Sequence, residues 1–329
     1  MTSSRTKSRS KPPDPSLKGP ARESFVYAAD GTRLYVRERS PVDDGRAEDH
    51  PGGAAGSGVH AQLTTILCDG ICCDGYIWKY LWDDLSEVTR LCHWNYRGHG
   101  RSALPNDSAR IDIPTHADDL NHVRRHVGDG PVVLIGHSMG CPVALEAYHQ
   151  RPDAIRGMVL LCGSSGHLTQ SFHGNDWLAR VLPKLIRFAE SRPGLSRGLW
   201  SRIPVKTALS LAFAAGEVDK ASLARDDLLP YFEHAADMDF LLFLRMLEAT
   251  GGYAADPFLA TVDVPVLVVA GEADKFTPHR LAEEMAQALP RAELVMLPGA
   301  THVAPLEQRD VVADRVTQFL ETALSRQSA

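Results

Sequence analysis

PVVLIGHSMG, residues 131–140, is an apolar run that ends in a serine between two glycines, and a helix-forming segment follows it directly. An unbroken apolar run is typical of a strand buried on both faces of a parallel sheet. The pattern Gly136-x-Ser138-x-Gly140 is weak by itself, but at a strand-to-helix junction it marks a nucleophilic serine. The glycines allow a tight turn that lifts Oγ above the sheet and aims free helix N–H groups at developing negative charge. The alternative is an ordinary glycine-rich turn.

Strand-like and helix-like segments alternate on both sides of this run. The strand-like segments are TTILCDG, LCHWNYRG, IRGMVLLCG, VPVLVVAGEAD and AELVMLPG. The helical ones include YIWKYLWDDLSEV, THADDLNHVRRHV, HRLAEEMAQALP and VVADRVTQFLETALS. Such alternation predicts an α/β fold, with a mostly parallel sheet that is doubly wound by helices on both faces. Upstream, SFVYAADGTRLYVRERS predicts two strands joined at an Asp30-Gly31 turn, and residues 41–61 predict a surface loop.

The chain divides into three parts by composition. Residues 1–22 are basic, and Pro12, Pro13 and Pro15 oppose an amphipathic targeting helix, so we expect a disordered tail. Residues 23–164 and 256–329 carry the strand–helix alternation of the core. Residues 165–255 contain only helical signals, which is the pattern of a helical cap or lid inserted between two strands. An insertion that packs elsewhere and covers nothing remains the alternative.

Composition excludes several function classes. The 329 residues carry a net charge of -6, which provides no general basic surface for nucleic acid. No apolar run approaches the roughly 20 residues that span a bilayer. The six cysteines lack zinc-site spacing, and three lie in strand-like runs, so we expect reduced, buried thiols and a cytoplasmic location. We expect neither a metal nor another cofactor, and a monomer or a homodimer.

A serine nucleophile needs a base, and the base needs an acid. His302 follows the last predicted strand, at the sheet edge where loops gather, and the order serine, acid, histidine is the one this arrangement requires. Asp274 follows the VPVLVVAGEA strand and is positioned to hold the imidazole. Glu272, two residues earlier, is the rival acid.

The chain resembles the α/β-hydrolase superfamily, in the lidded form typical of small esterases and lipases. The resemblance covers about residues 24–324 and rests on GHSMG (136–140), NYRGHGRS (95–102), GEAD (271–274) with Pro278, and GATH (299–302). It implies an eight-stranded sheet and a triad of Ser138, Asp274 and His302. It also implies an oxyanion hole formed by the backbone N–H groups of Met139 and Ile71.

Three departures from the family pattern stand out. Asp69 occupies a position where histidine is usual, and we expect its carboxylate to point away from the oxyanion and to anchor its own loop. The strand before Arg97 carries Asn95 instead of the usual aspartate. Cys72 and Cys73 follow in the same loop, where they either react at the mouth of the pocket or merely fill space.

Ser138 implies an acyl-enzyme and attack on a carbonyl, so ester hydrolysis of a small, hydrophobic molecule is the leading interpretation. Acyl transfer, perhydrolysis, and thioester, lactone, amide or carbon–carbon cleavage use the same triad. A non-catalytic ligand-binding member of the fold is the alternative from another class. Trp177, Phe240 and Phe243 are candidate pocket residues if the apolar faces of the insertion line the pocket instead of only packing it onto the body.

Overall fold

The computed structural model describes residues 21–40, 63–128, 130–219 and 221–325. The expected disordered tail therefore lies outside the described residues except for its last two positions, and strand β1 already begins at Arg22. The predicted surface loop at 41–61 also lies outside them.

Eight strands form one sheet in the order β1-β2-β4-β3-β5-β6-β7-β8. Their bounds are β1 Arg22–Tyr27, β2 Arg33–Arg39, β3 Thr64–Cys68, β4 Arg90–Trp94, β5 Val132–His137, β6 Ile155–Leu161, β7 Val266–Gly271 and β8 Ala292–Leu297. Only β2 runs antiparallel to its neighbours, β1 and β4, and every other pair is parallel. The predicted mostly parallel, eight-stranded α/β sheet is confirmed.

The N-terminal hairpin forms as the sequence predicts. Tyr27 pairs with Arg33 across the turn, and the N–H of Gly31 donates to the carbonyl of Ala28. Gly31 has a φ of +76°, a left-handed conformation that glycine adopts without steric cost.

Twelve α-helices connect and cover the strands. They are α1 Leu81–Ser86, α2 Ile113–Val127, α3 Gly140–Gln150, α4 Leu168–Ser171, α5 Trp177–Ser191, α6 Pro193–Trp200, α7 Val205–Ala215, α8 Arg225–Asp237, α9 Phe240–Gly251, α10 His279–Ala288, α11 Ala304–Glu307 and α12 Arg309–Ser325. This total refers to the described ranges only.

Two buried apolar clusters lie on opposite faces of the sheet. Side chains of β5 alternate between them, with Val132 and Leu134 in the first cluster and Val133 and Ile135 in the second. Helices α2, α3 and α10 contribute to the first cluster, whereas α1 and α12 contribute to the second. This alternation is the physical basis of the doubly wound arrangement, since each strand buries both of its faces.

The segment between β6 and β7 is helical and contains six helices, α4 to α9. A backbone bridge between Gly166 and Ala254, and a hydrogen bond from the N–H of Ala255 to the carbonyl of Ser165, join its two ends. Leu209 of helix α7 packs in the second apolar cluster, the one that contains Val133 and Ile135. The insertion is therefore packed on the sheet body, and its role as a lid stays a prediction.

Hydropathy gives no indication of a membrane-crossing helix in the part of the chain that the structure describes.

Candidate active site

Ser138 lies in the turn between β5 and α3. Its φ is +54°, an uncommon conformation for a residue with a side chain, and it is the kind of strain found at functional sites. The flanking glycines are required by space. A Cβ on Gly140 would lie 2.0 Å from the carbonyl oxygen of Cys68, and one on Gly136 would lie 2.4 Å from the carbonyl oxygen of Gly140. The tight turn therefore requires glycine at both positions that flank the serine pattern, since even a Cβ would overlap backbone atoms there.

The structure brings the three predicted triad residues together. Nε2 of His302 lies 3.0 Å from Oγ of Ser138, and Nδ1 of the same ring lies 2.8 Å from Oδ2 of Asp274. These contacts join residues from the ends of three different strands, because parallel strands deliver their carboxyl ends to one edge of the sheet. Glu272 is exposed and its carboxylate accepts the backbone N–H of Gly299, so the acid beside His302 is Asp274.

Hydrogen bonds fix the carboxylate of Asp274. Its Oδ1 accepts the backbone N–H groups of Phe276 and Thr277 at 2.8 and 2.9 Å. Burial raises the pKa of Asp274, but His302 and the bonds from Thr277 outweigh burial and hold the pKa below its usual value. The carboxylate is therefore ionised at neutral pH and orients the imidazole.

The two predicted oxyanion donors lie on either side of the nucleophile. Met139 precedes helix α3 directly, and Ile71 follows Gly70 in the loop after β3. A Cβ on Gly70 would lie 3.2 Å from Cβ of Ser138, so this loop runs against the turn that carries the serine. Ile71 and Ser138 line the same cavity. Donation to an oxyanion by either N–H group stays a prediction.

Asp69 anchors its own loop, as the sequence predicts. Oδ1 accepts the indole N–H of Trp78 at 2.5 Å, and Oδ2 lies 2.8 Å from Nε2 of His93. The phenol of Tyr96 donates to the Asp69 carbonyl at 3.0 Å. A buried carboxylate requires partners of this kind, and with both oxygens occupied it tethers the loop to β4 and to the turn at Trp78.

Three residues near the triad were not identified from the sequence. The hydroxyl of Thr277 lies 2.7 Å from Oδ2 of Asp274 and 2.9 Å from the carbonyl oxygen of Cys162. The Phe276 ring stacks on the His302 ring, with centroids 5.1 Å apart.

His137 donates its Nε2–H to the His302 carbonyl at 2.9 Å. Burial, with the charge of His302, lowers the pKa of His137 to about 3, so the ring is neutral. Adjacency in sequence to a predicted site residue was the only signal for these positions.

Cys72 and Cys73 are buried, and all six cysteines are free thiols. Burial raises the pKa of both thiols far above the ordinary value, which leaves little of the reactive thiolate. The structure favours packing over reactivity at these two positions, although Cys73 does line the cavity beside Ser138.

A cavity of about 410 Å³ opens beside Ser138 and His302. Trp177, Phe240 and Phe243 all line it, as predicted. Most of the remaining wall is apolar and comes from the insertion, including Leu178, Leu182, Leu185, Trp200, Tyr231, Phe232, Leu244 and Leu247. The Trp200 ring stacks on Phe240 and Phe243, with centroids 4.6 and 5.8 Å away, so this part of the wall is aromatic.

Within the described ranges, no group of three or more His, Cys, Asp or Glu side chains could hold a metal ion.

A family model described as the alpha/beta hydrolase fold matches residues 66–308 of this sequence. The chain belongs to the α/β-hydrolase fold family. Among curated proteins, it is 24% identical over 261 residues to the putative carbamate hydrolase RutD of Agrobacterium fabrum, covering 78% of this chain and 92% of that one. It is 28% identical over 261 residues to the polyketide synthase ThaQ of Burkholderia thailandensis, where the match covers 79% of this chain but spans only 12% of that protein.

Solved structures show the same fold at low sequence identity. An esterase from Exiguobacterium antarcticum superimposes with a TM-score of 0.69 at 18% identity, covering 91% of this chain and 100% of that one. The enol-lactonase from Burkholderia xenovorans LB400 gives a TM-score of 0.67 at 19% identity, with 91% and 100% coverage. This α/β hydrolase thus has hydrolases among its curated relatives and its structural neighbours.

Proposed function

We propose that this α/β hydrolase cleaves a carboxylic ester of a small, apolar molecule through an acyl-enzyme on Ser138. The observation that carries the proposal is the unbroken hydrogen-bond chain from Ser138 through His302 to Asp274 at the wall of an apolar cavity. A serine becomes nucleophilic when a positioned base takes its proton, and the chain places that base 3.0 Å from Oγ.

The proposed reaction has two halves. Oγ of Ser138 attacks the ester carbonyl while Nε2 of His302 takes its proton, and the carboxylate of Asp274 stabilises the imidazolium. The tetrahedral oxyanion accepts the N–H groups of Met139 and Ile71, an interaction that typically contributes about 10²–10³ in rate per donor. His302 then gives the proton to the departing alcohol. Water, activated by the same histidine, hydrolyses the acyl-enzyme and restores the serine.

The cavity supports an apolar acyl or alcohol group. A wall of aromatic and leucine side chains stabilises hydrocarbon by about 25 cal/mol per Å² removed from water. We therefore expect medium-chain or aromatic esters to be better substrates than acetates, and the insertion that supplies this wall to act as a lid. We further expect a cytoplasmic location, which six buried free thiols support.

Labelling with a fluorophosphonate tests the nucleophile directly. We expect one adduct, which peptide mass spectrometry locates on Ser138 and which Ser138→Ala abolishes. Ser164→Ala is the matched control, because Ser164 is also buried and lies just beyond the end of β6, yet its hydroxyl donates to the Gly166 carbonyl. Absence of an adduct on the folded wild-type protein would contradict the proposal and favour a non-catalytic ligand-binding role.

A chain-length series of esters then tests the substrate class. We expect kcat/KM to rise from acetyl to medium-chain acyl groups, as each buried methylene contributes about 0.8 kcal/mol. A preference for acetyl esters would contradict the apolar-cavity interpretation.

A further inference from the structure

One part of the insertion, residues 177–206, has a charge opposite to that of the whole chain, although residues 165–255 together are neutral. Between residues 177 and 206 there are seven Lys or Arg residues and one carboxylate, Glu190, which gives a net charge of +6 where the complete chain has -6. Glu190 is itself paired with Arg245 at 2.7 Å. The exposed basic residues are Arg180, Lys184, Arg187, Arg192, Arg197, Arg202 and Lys206.

The same segment exposes large apolar side chains. Four of them lie along α5 and are each 36–46% exposed: Trp177, Val181, Leu185 and Phe188. Leu195 and Leu199 on α6, and Ile203 directly after it, are about half exposed. Single exposed apolar residues are ordinary on protein surfaces, but a contiguous row marks an interaction surface.

The charges and the apolar row are arranged on α5 in adjacent sectors. At 3.6 residues per turn, the four exposed apolar residues occupy one sector about 80° wide. One neighbouring sector holds the exposed cations Arg180, Lys184 and Arg187. The other holds the side chains buried against the rest of the insertion, Leu178, Leu182, Ile186 and Ala189. A helix with an outward apolar stripe edged by cations is the type that lies in a lipid interface.

The exposed stripe reaches the active-site cavity. Trp177 and Leu185 are exposed and also line the cavity that contains Ser138. The apolar surface is therefore continuous from the outside of α5 to the catalytic serine.

We propose that this face, formed by α5, α6 and the start of α7, docks on a membrane surface that contains anionic phospholipids. The apolar side chains would enter the boundary between headgroups and acyl chains, while the cations contact the phosphates. Charge argues against a second copy as the occupant, because a two-fold contact would set two basic faces against each other, even though Arg180 and Arg197 are paired with Asp176 and Asp239. Phosphates of nucleic acid would match the cations but not the leucine and phenylalanine side chains between them.

Vesicle binding of the full-length Ser138→Ala protein tests the docking without hydrolysis of the lipid. We expect cosedimentation with vesicles that contain about 30% phosphatidylglycerol, weaker binding to pure phosphatidylcholine, and loss of the difference at high salt. The exposed Trp177 should shift to shorter emission wavelength on binding, and Trp177→Phe should remove that shift. Equal, weak binding to both vesicles at low salt would overturn the proposal. Docking requires no catalysis, so its failure would leave the proposed hydrolase function standing.

Matched variants assign the binding to this face. Replacing Lys184, Arg187 and Arg202 by alanine should weaken binding to anionic vesicles roughly 100-fold, because each cation near such a surface contributes about 1 kcal/mol. The control variant replaces Arg125, Arg151 and Arg156 by alanine, which changes the net charge equally. These three residues are exposed but lie outside the insertion, so this variant should bind as wild type. Equal loss in both triple variants would overturn the proposal.

Two further variants separate the apolar contribution and the basic tail. Val181→Ser with Phe188→Ser should reduce binding about tenfold or more, whereas Val311→Ser, at a more exposed position on α12, should not. The N-terminal segment also carries cations, Arg5, Lys7, Arg9, Lys11 and Lys18. Replacing all five by serine should leave most of the binding intact, and complete loss in this variant would overturn the assignment to α5 and α6.

Discussion

At the scale of single residues, the catalytic geometry depends on what holds Asp274. Its Oδ2 faces both Nδ1 of His302 and the hydroxyl of Thr277, while Oδ1 is held by two backbone N–H groups. A carboxylate held from several directions keeps the imidazole in one tautomer and one orientation. We therefore expect Thr277 to be a positioning residue that acts through Asp274.

Thr277→Val tests this role with a side chain of nearly the same shape. Loss of one hydrogen bond of about 1–1.5 kcal/mol should lower kcat roughly tenfold with little change in KM, because Thr277 is not among the residues that line the cavity beside Ser138. Thr277→Ser should restore most of kcat, since it keeps the hydroxyl. Steady-state kinetics of both variants make the comparison, and full kcat in the valine variant would contradict the role.

At the scale of elements, β3, β5 and α3 meet at a point that leaves no room for a side chain. Gly140 begins α3, and a Cβ there would lie 2.0 Å from the carbonyl oxygen of Cys68 at the end of β3. The obstacle is backbone, so it cannot be relieved by a rotamer change.

Gly140→Ala should therefore destabilise the protein by about 1–3 kcal/mol or more and reduce fluorophosphonate labelling of Ser138. Gly194→Ala on α6 is the control, because a Cβ at Gly194 meets no atom within 4 Å. In a helix this change should be neutral or stabilising by up to about 1 kcal/mol. Urea unfolding of the two variants measures the difference, and equal stability would show that the turn tolerates a Cβ.

At the scale of the whole molecule, stability depends on buried histidines that must stay neutral. Burial lowers the pKa of His99 to about 4 and of His137 to about 3, and it also holds the pKa of His116 well below its ordinary value. In the unfolded chain such groups titrate near about 6.5. Below that pH the unfolded state binds more protons than the folded state, so the free energy of unfolding must fall as the pH falls.

We expect the free energy of unfolding to decrease from about pH 6.5 towards pH 4, measured by urea titration at several pH values. Asp119 acts in the opposite direction, since burial raises its pKa to about 6 although Arg97 opposes that rise. Asp84, whose pKa burial also raises, acts in the same direction, but these two groups do not offset three histidines. His116→Leu should flatten the pH dependence. A free energy of unfolding that is constant or rises on acidification would contradict the expectation.

The sequence by itself determined the class of fold and singled out Ser138 as the candidate nucleophile. Continuous apolar strands, helical periodicity and the glycine-serine-glycine pattern around Ser138 can all be recognised within a few residues of sequence. The steric reason for Gly140 is the distant backbone of Cys68 and appears only in the folded structure. Chain order and position after predicted strands pointed to His302 and Asp274 in the same way.

Only the tertiary structure decided which side chains meet. It selected Asp274 over Glu272, gave Asp69 its partners Trp78 and His93, and brought Thr277 to the acid. It also oriented α5 so that its apolar stripe is exposed, and so that two residues of that stripe, Trp177 and Leu185, line the cavity. These outcomes depend on strand order and on helix packing between residues far apart in the chain, which local sequence patterns do not specify.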